Sequence, residues 1–212
     1  MKIIDAKLKF NGTFKRDNKP EIALIHHALH DNCDIWDVHG WHLAKDWMGF
    51  GYHAFIPKAG GIYKGRPTYM HGAHCKENNM NYKSIGICLE GCYTDYLDMT
   101  EKTVPAAQIK SLVEYLHFLN LPFEYHRKYA TYKDCPGKYF LTEKELKREM
   151  NQEDKSCEEI LKDSNLDDLK EWIEFFDGLV KMAELKGDIG FLEKAKYLPH
   201  LIIKVYNAAR GN

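Results

Sequence analysis

Two apolar runs constrain the fold more than any other feature of the chain. "EIALIH" (21–26) and "KSIGICLEG" (83–91) are nearly continuous in Ile, Leu and other nonpolar residues. Runs of that length without polar alternation read as strands buried on both faces, which requires helices to cover a sheet. The segments between and after them supply the cover. "IWDVHGWHLAKDW" (35–47) follows potential capping residues at Asn32 to Asp34 and has helical spacing. "TVPAAQIKSLVEYLHFLN" (103–120) is amphipathic, with Thr103 at the cap, Pro105 in the first turn, and Ile109, Leu112, Val113 and Leu116 on one face. "YHAFIPKAGGIYKGR" (52–66) reads as a hairpin joined through Lys58 to Gly61, and "FEYH" (123–126) as a short strand. The expected fold class is α/β: a mixed central β-sheet flanked by helices.

Composition excludes several partners. The 212 residues carry 30 Lys and Arg against 31 Asp and Glu, a formal net charge of −1. Such a balance carries no signature of a nucleic-acid or anionic-membrane partner. The opening "MKIIDAKLKF" lacks the long apolar core of a signal peptide, and no later run could span a bilayer. The expectation is a protein made in the cytoplasm without a signal peptide.

Six cysteines, at 33, 75, 88, 92, 135 and 157, are too sparse for a disulfide scaffold and form no CxxC pair. Cys88, inside an apolar strand, reads as a small buried hydrophobe. Ten of the eleven histidines fall in the first 130 residues, so any imidazole chemistry belongs to that part.

Within it, His26 ends one strand, His126 ends another, and Cys135 follows in "YHRKYATYKDCPGKYF" (125–140). Strand ends in such a sheet gather at one edge. Two imidazoles and a thiolate suit Zn²⁺, and three protein ligands leave a fourth position open, as in catalytic rather than structural sites. Spacing alone also allows ordinary strand-end histidines.

The segments "ALIHHALH", "HGWHLAKDWMGFGYHAFIPKAGGIYKGRP", "GAHCKENNMNYKSIGICLEG" and "YHRKYATYKDCPG" together resemble, in order and approximate spacing, the zinc-dependent N-acetylmuramoyl-L-alanine amidases. That family includes phage endolysins and has the peptidoglycan recognition proteins as relatives; the nearest likeness is to endolysins of clostridia and their phages. The resemblance covers about residues 20 to 140. It implies a single zinc ion per chain on His26, His126 and Cys135, catalytic roles for Tyr52 and Lys133, and a substrate groove lined by His74 and Asn79. It further implies bacterial peptidoglycan as the partner, cleaved between N-acetylmuramic acid and L-alanine after release of the enzyme onto the wall.

Some members of the family carry a glutamate base on the strand that here reads "GICLEG". The aligned position is Cys88, a poor base, which leaves Tyr52, with Glu90 in reserve. The "GAHCKENNMNYKSIGI" loop is two residues longer than usual, which loosens the match of Asn79. Two rival readings stay open: a non-catalytic recognition protein, whose type usually lacks the cysteine ligand, and a thiol hydrolase with Cys135 as nucleophile and His126 as base. Trp36, Trp41 and Trp47 lie on or near one helix and read as core rather than as sugar-stacking residues.

Beyond about residue 150 the resemblance stops. "NQEDKS" (151–156) is polar and linker-like. After it Ser164 can cap a helix with Leu166, Leu169, Ile173, Phe176, Val180 and Ala183 on one face, and "FLEKAKYLPHLIIKVYNAA" can form another, interrupted at Pro199. The expected division is a catalytic domain at 1–150 and a small all-α domain at 155–212. The latter would bind the cell wall or pair chains into a homo-oligomer.

Overall fold

The computed structural model describes residues 3–151; the helical domain expected at 155–212 lies outside them. Those up to Leu116, with Leu121–Glu145, form one compact unit. Its centre is a six-stranded sheet built from β1 (Ile3–Asp5), β2 (Ile22–His27), β3 (Ala54–Ile56), β4 (Ile62–Lys64), β5 (Ser84–Leu89) and β6 (Phe123–Tyr125). The strand order is β1-β4-β3-β5-β2-β6. Only the β3–β4 hairpin is antiparallel; every other pairing is parallel. The expected mixed sheet is present, and β1 is the strand that sequence reasoning missed.

β5 is buried along its whole length and β2 from its second residue on. Helix α1 (Ile35–Leu43) opens on a capping box in which Asp34 accepts from the Asp37 N–H while Asp37 accepts from that of Asp34. It stops at Leu43, shorter than the sequence pattern suggests. Ile35 and Val38 pack with Ala6, Cys33, Phe50, Phe55 and Cys88 in one apolar cluster. Cys88 is fully buried, as expected.

The tryptophans depart from expectation. Trp36, Trp41 and Trp47 are 50%, 39% and 41% exposed. The inner stripe of α1 is filled by Ile35, Val38, His39 and His42, so the indoles rest on the outside: Trp36 against Tyr63, Trp41 against His30, Trp47 against His42.

Helix α2 (Ala106–Leu119) begins after Pro105, later than the expected Thr103 cap, and buries Leu112, Val113 and Leu116 as its spacing predicts, with Ile109 half-buried. It also buries Gln108 completely. The Gln108 amide donates to the carbonyls of Ile56 and Glu90 at 2.8 Å each, and its oxygen accepts from the Tyr93 hydroxyl at 2.6 Å. One side chain thus ties the ends of β3 and β5 to the chain beyond them. A further helix begins at residue 143, where Thr142 and Glu145 form another capping box. No helix among the described residues is long and apolar enough to cross a membrane.

Replacing Gln108 by Leu keeps the volume but removes three buried hydrogen bonds, leaving the Ile56 carbonyl with the Glu90 N–H alone and the Glu90 carbonyl with the Tyr93 hydroxyl alone, so it should cost about 1–3 kcal/mol. Urea unfolding of the two proteins measures this; a loss under about 0.5 kcal/mol would show that the amide is dispensable.

Candidate metal centre

The site grows out of strand register. β2 pairs in parallel with β6, Ile25 opposite Tyr125, and with β5, His26 opposite Cys88. One residue beyond each end of the β2–β6 pairing stand His26 and His126, whose rings lie 4.3 Å apart between centroids. Because side chains alternate across a strand, the adjacent histidines of β2 diverge. His26 joins the site, while the Nδ1 of His27 accepts from the Tyr93 N–H at 3.1 Å.

Cys135 returns to the same edge through a short loop. The Arg127 N–H donates to the Cys135 carbonyl at 2.9 Å, and the Arg127 guanidinium donates to the Gly137 carbonyl at 3.0 Å. Gly137 has φ 113°, and a Cβ there would stand 2.1 Å from the Tyr93 carbonyl oxygen. Only glycine permits so close an approach. The Pro-Gly pair after the thiol therefore fits the loop against the chain beyond β5, and the thiol lands 3.8 Å from His26 Nδ1.

Ligand atoms of His26, His126 and Cys135 all lie within 4.8 Å of one another. A tetrahedral zinc, with Zn–N near 2.0 Å and Zn–S near 2.3 Å, holds its nitrogen and sulfur about 3.5 Å apart, close to the observed separation. His126 Nε2 is buried without a hydrogen-bond partner, unusual for a polar atom unless the ring serves another purpose. Burial depresses the pKa of His26 far below its ordinary value and that of His126 to about 4, so both are neutral, as ligands must be. Burial also pushes the Cys135 thiol up to about 12, against the opposing pull of the His27 backbone N–H, Lys133 and Arg127. The set fits a thiophilic cation, which would supply the charge needed to ionise the sulfur.

The other predicted residues are Tyr52, Lys133, His74, Asn79 and Glu90. Tyr52 flanks the centre, its ring 5.1 Å from that of His26 and stacked at 5.8 Å on that of His74. Burial raises its pKa well above the usual phenol value, so it is a neutral hydroxyl. Lys133 is exposed, yet its charge lowers the pKa of His26, His126 and Cys135 alike. His74 sits behind His26 and is only 8% exposed, with Nδ1 at 3.1 Å from His26 Nε2. Asn79 is exposed, with a left-handed φ of 62°. The asparagine engaged with His74 is Asn81, whose side-chain oxygen accepts from the His74 and Cys75 N–H groups at 2.8 and 2.9 Å. Nothing in "ENNMNY" distinguishes the two asparagines before the loop is folded. Glu90, the reserve base, accepts from the Lys58 N–H at 2.8 Å, with the Lys58 ammonium 3.9 Å away.

A family model described as N-acetylmuramoyl-L-alanine amidase matches residues 16–138. The endolysin of Escherichia phage T7 is 29% identical over 132 residues, 58% of this chain and 85% of that protein. Among solved structures, the N-acetylmuramoyl-L-alanine amidase LysC from Clostridium intestinale is 26% identical with a TM-score of 0.63, covering 71% of this chain and 98% of its own. Bumblebee PGRP-SA, at 19% identity and a TM-score of 0.55 over 69% of this chain and 93% of that one, shares the fold.

Most of the remaining histidines serve the backbone. His53 Nδ1 accepts from the Gly86 N–H at 2.9 Å, His42 Nδ1 from Gly51 and His39 Nδ1 from Phe50 at 3.0 Å each. Burial holds His27, His42 and His53 at about 4. The unfolded chain takes up those protons near pH 6.5, whereas the folded chain resists until about 4, so protons favour unfolding across that window. Stability of the metal-free chain is therefore full above about pH 6.5 and falls as pH drops toward 4. Urea midpoints at pH 7 and pH 5 should differ, the lower pH giving the lower midpoint; equal values would contradict neutral burial.

Proposed function

Since the chain belongs to the N-acetylmuramoyl-L-alanine amidase family, we propose that it hydrolyses the amide bond between N-acetylmuramic acid and L-alanine of bacterial peptidoglycan, using one zinc ion held by His26, His126 and Cys135. The observation that carries this reading is the convergence of two neutral imidazoles and one thiol within 4.8 Å at the carboxyl edge of the sheet. Zinc, when bound, acts as a Lewis acid toward a carbonyl and makes water acidic enough to attack near neutral pH.

The chain's own groups complete the chemistry. The two histidines and Cys135 orient the site, and His74 fixes the His26 ring from behind. Lys133, two residues before the cysteine, offers an ammonium donor to the oxygen that becomes negative as the carbonyl is attacked. Tyr52, a neutral phenol beside His26, hydrogen-bonds the attacking water or the oxygen of the tetrahedral intermediate. Glu90 is less suited to this work because its carboxylate is engaged with Lys58.

Cys135 argues for an enzyme over a non-catalytic recognition protein, whose type usually lacks it. Its raised pKa, beside imidazoles whose own values are depressed, disfavours the thiolate–imidazolium pair that a cysteine hydrolase requires. In this reading residues 1–150 are the catalytic domain, acting on the wall after release as endolysins do. Residues 155–212 are a wall-binding or self-associating module.

Digestion of purified cell walls tests the reaction. New alanine amino groups should appear without new reducing sugars; the reverse pattern would make the enzyme a glycosidase. Chelation should abolish activity and zinc restore it. Cys135→Ser should lose zinc and activity together, because a neutral hydroxyl is a far weaker ligand than a thiolate. Lys133→Ala should keep zinc while turnover falls by about 10²- to 10³-fold. A Cys135→Ser protein that retains its metal, or a Lys133→Ala protein of normal rate, removes the respective role.

A further inference from the structure

A second trio of donors shares His126. The Cys75 thiol, a Glu77 carboxylate oxygen and a His126 ring nitrogen also lie within 4.8 Å of one another. Neither Cys75 nor Glu77 has a part in the amidase chemistry described above.

The geometry is prepared in the way metal sites are. The Tyr132 hydroxyl donates to Glu77 Oε1 at 2.6 Å, which anchors the carboxylate and leaves Oε2 facing Cys75 Sγ at 3.5 Å. Asn81 in turn fixes the Cys75 backbone N–H at 2.9 Å. The Tyr132 phenol on the carboxylate and the Asn81 side chain on the cysteine backbone resemble the outer supports that hold metal ligands in place. The thiol presently points its proton toward a carboxylate, so an ion entering between them displaces one proton from sulfur to solvent and gains a thiolate. Sulfur, oxygen and nitrogen donors together select zinc or cadmium over magnesium or calcium. Cys75 is buried, but Glu77 is half-buried and Tyr132 is 70% exposed, which gives an ion a way in from the surface.

We propose that Cys75, Glu77 and His126 form a second, weaker zinc position that fills when zinc is in excess, and that filling it inhibits the enzyme by sharing His126 with the first position, whose ion stays on His26 and Cys135. The position itself stands on this loop geometry; the inhibition rests on the amidase reading. Three ligands on two loops and a shared imidazole explain why it is the weaker of the two.

The test counts ions on the full chain. Wild-type protein equilibrated with excess zinc and passed through a desalting column into buffer holding the same free zinc should carry one more ion per chain than Cys75→Ser. Cadmium gives a separate readout: the second equivalent should add thiolate-to-metal absorption in the wild type and none in Cys75→Ser. Glu77→Gln, which leaves the thiol in place, should weaken uptake of the second ion at least tenfold and guards against a folding defect in the cysteine variant. On cell walls, excess zinc should slow the wild type about tenfold or more, while Cys75→Ser, active at limiting zinc, should resist. Equal zinc counts and equal cadmium spectra in wild type and Cys75→Ser overturn the second position. Equal inhibition of both overturns its role as the inhibitory site. The ion count needs no substrate, so a chain inert toward walls would refute the amidase reading and leave the second position to be judged by the count alone.

Discussion

The parallel pairing of β2 with β5 on one side and β6 on the other is the constraint from which the site follows. It places His26 beside Cys88 and brings His126 level with His26 one step beyond the β6 pairing. Parallel strands need long crossovers, so residues a hundred positions apart become neighbours only once the sheet is built. Nothing in the loops would bring His26 and Cys135 together without it. The register decides which histidine faces Cys135, since slipping β2 by one residue would turn His26 to the opposite face and put His27 in its place.

The same sheet explains why the chain can carry so many histidines with so few in the chemistry. An imidazole with one bare nitrogen is an acceptor that reaches farther than a backbone carbonyl, and here it collects stray N–H groups. His39, His42 and His53 tie Phe50, Gly51 and Gly86 into the structure, and His27 does so for Tyr93. Each satisfies a backbone donor that would otherwise be stranded at a buried loop. The crowding of histidines before residue 130 thus owes more to backbone satisfaction than to the His26–His126–Cys135 cluster.

How far the sequence revealed the molecule depends on whether the signal was local. Apolar runs exposed β2 and β5, two β-rich runs joined through Lys58 to Gly61 exposed the hairpin, and capping residues at Asn32 to Asp34 before helical spacing exposed α1. The meeting of His26, His126 and Cys135 was legible from strand ends together with the family resemblance, since spacing alone left ordinary strand-end histidines equally open. Other features had no local signal. β1 has three residues and gains its meaning only by pairing with β4. Gln108 occupies a helix face that periodicity assigns to apolar residues, and only the carbonyls above it explain the amide. The tryptophans read as core because indole is apolar, yet α1 had already filled its inner stripe with smaller side chains. Asn79 and Asn81 differ only in which of them the folded loop turns toward His74.

His74 shows what the arrangement costs. When His26 Nδ1 is bare toward the sulfur, the proton of its ring is on Nε2, which then donates to His74 Nδ1 at 3.1 Å. His74 must then carry its own proton on Nε2, and that atom is buried with no partner. An unsatisfied donor of this kind costs about 1–3 kcal/mol. The fold accommodates the ring by leaving out side chains around it: a Cβ at Gly72 would stand 2.3 Å from the His74 ring and one at Gly86 2.4 Å. A packed aliphatic residue would avoid the cost but could not accept the proton from His26. In that tautomer the unsatisfied nitrogen at His74 is the consequence of holding His26 in one orientation with a bare nitrogen toward Cys135.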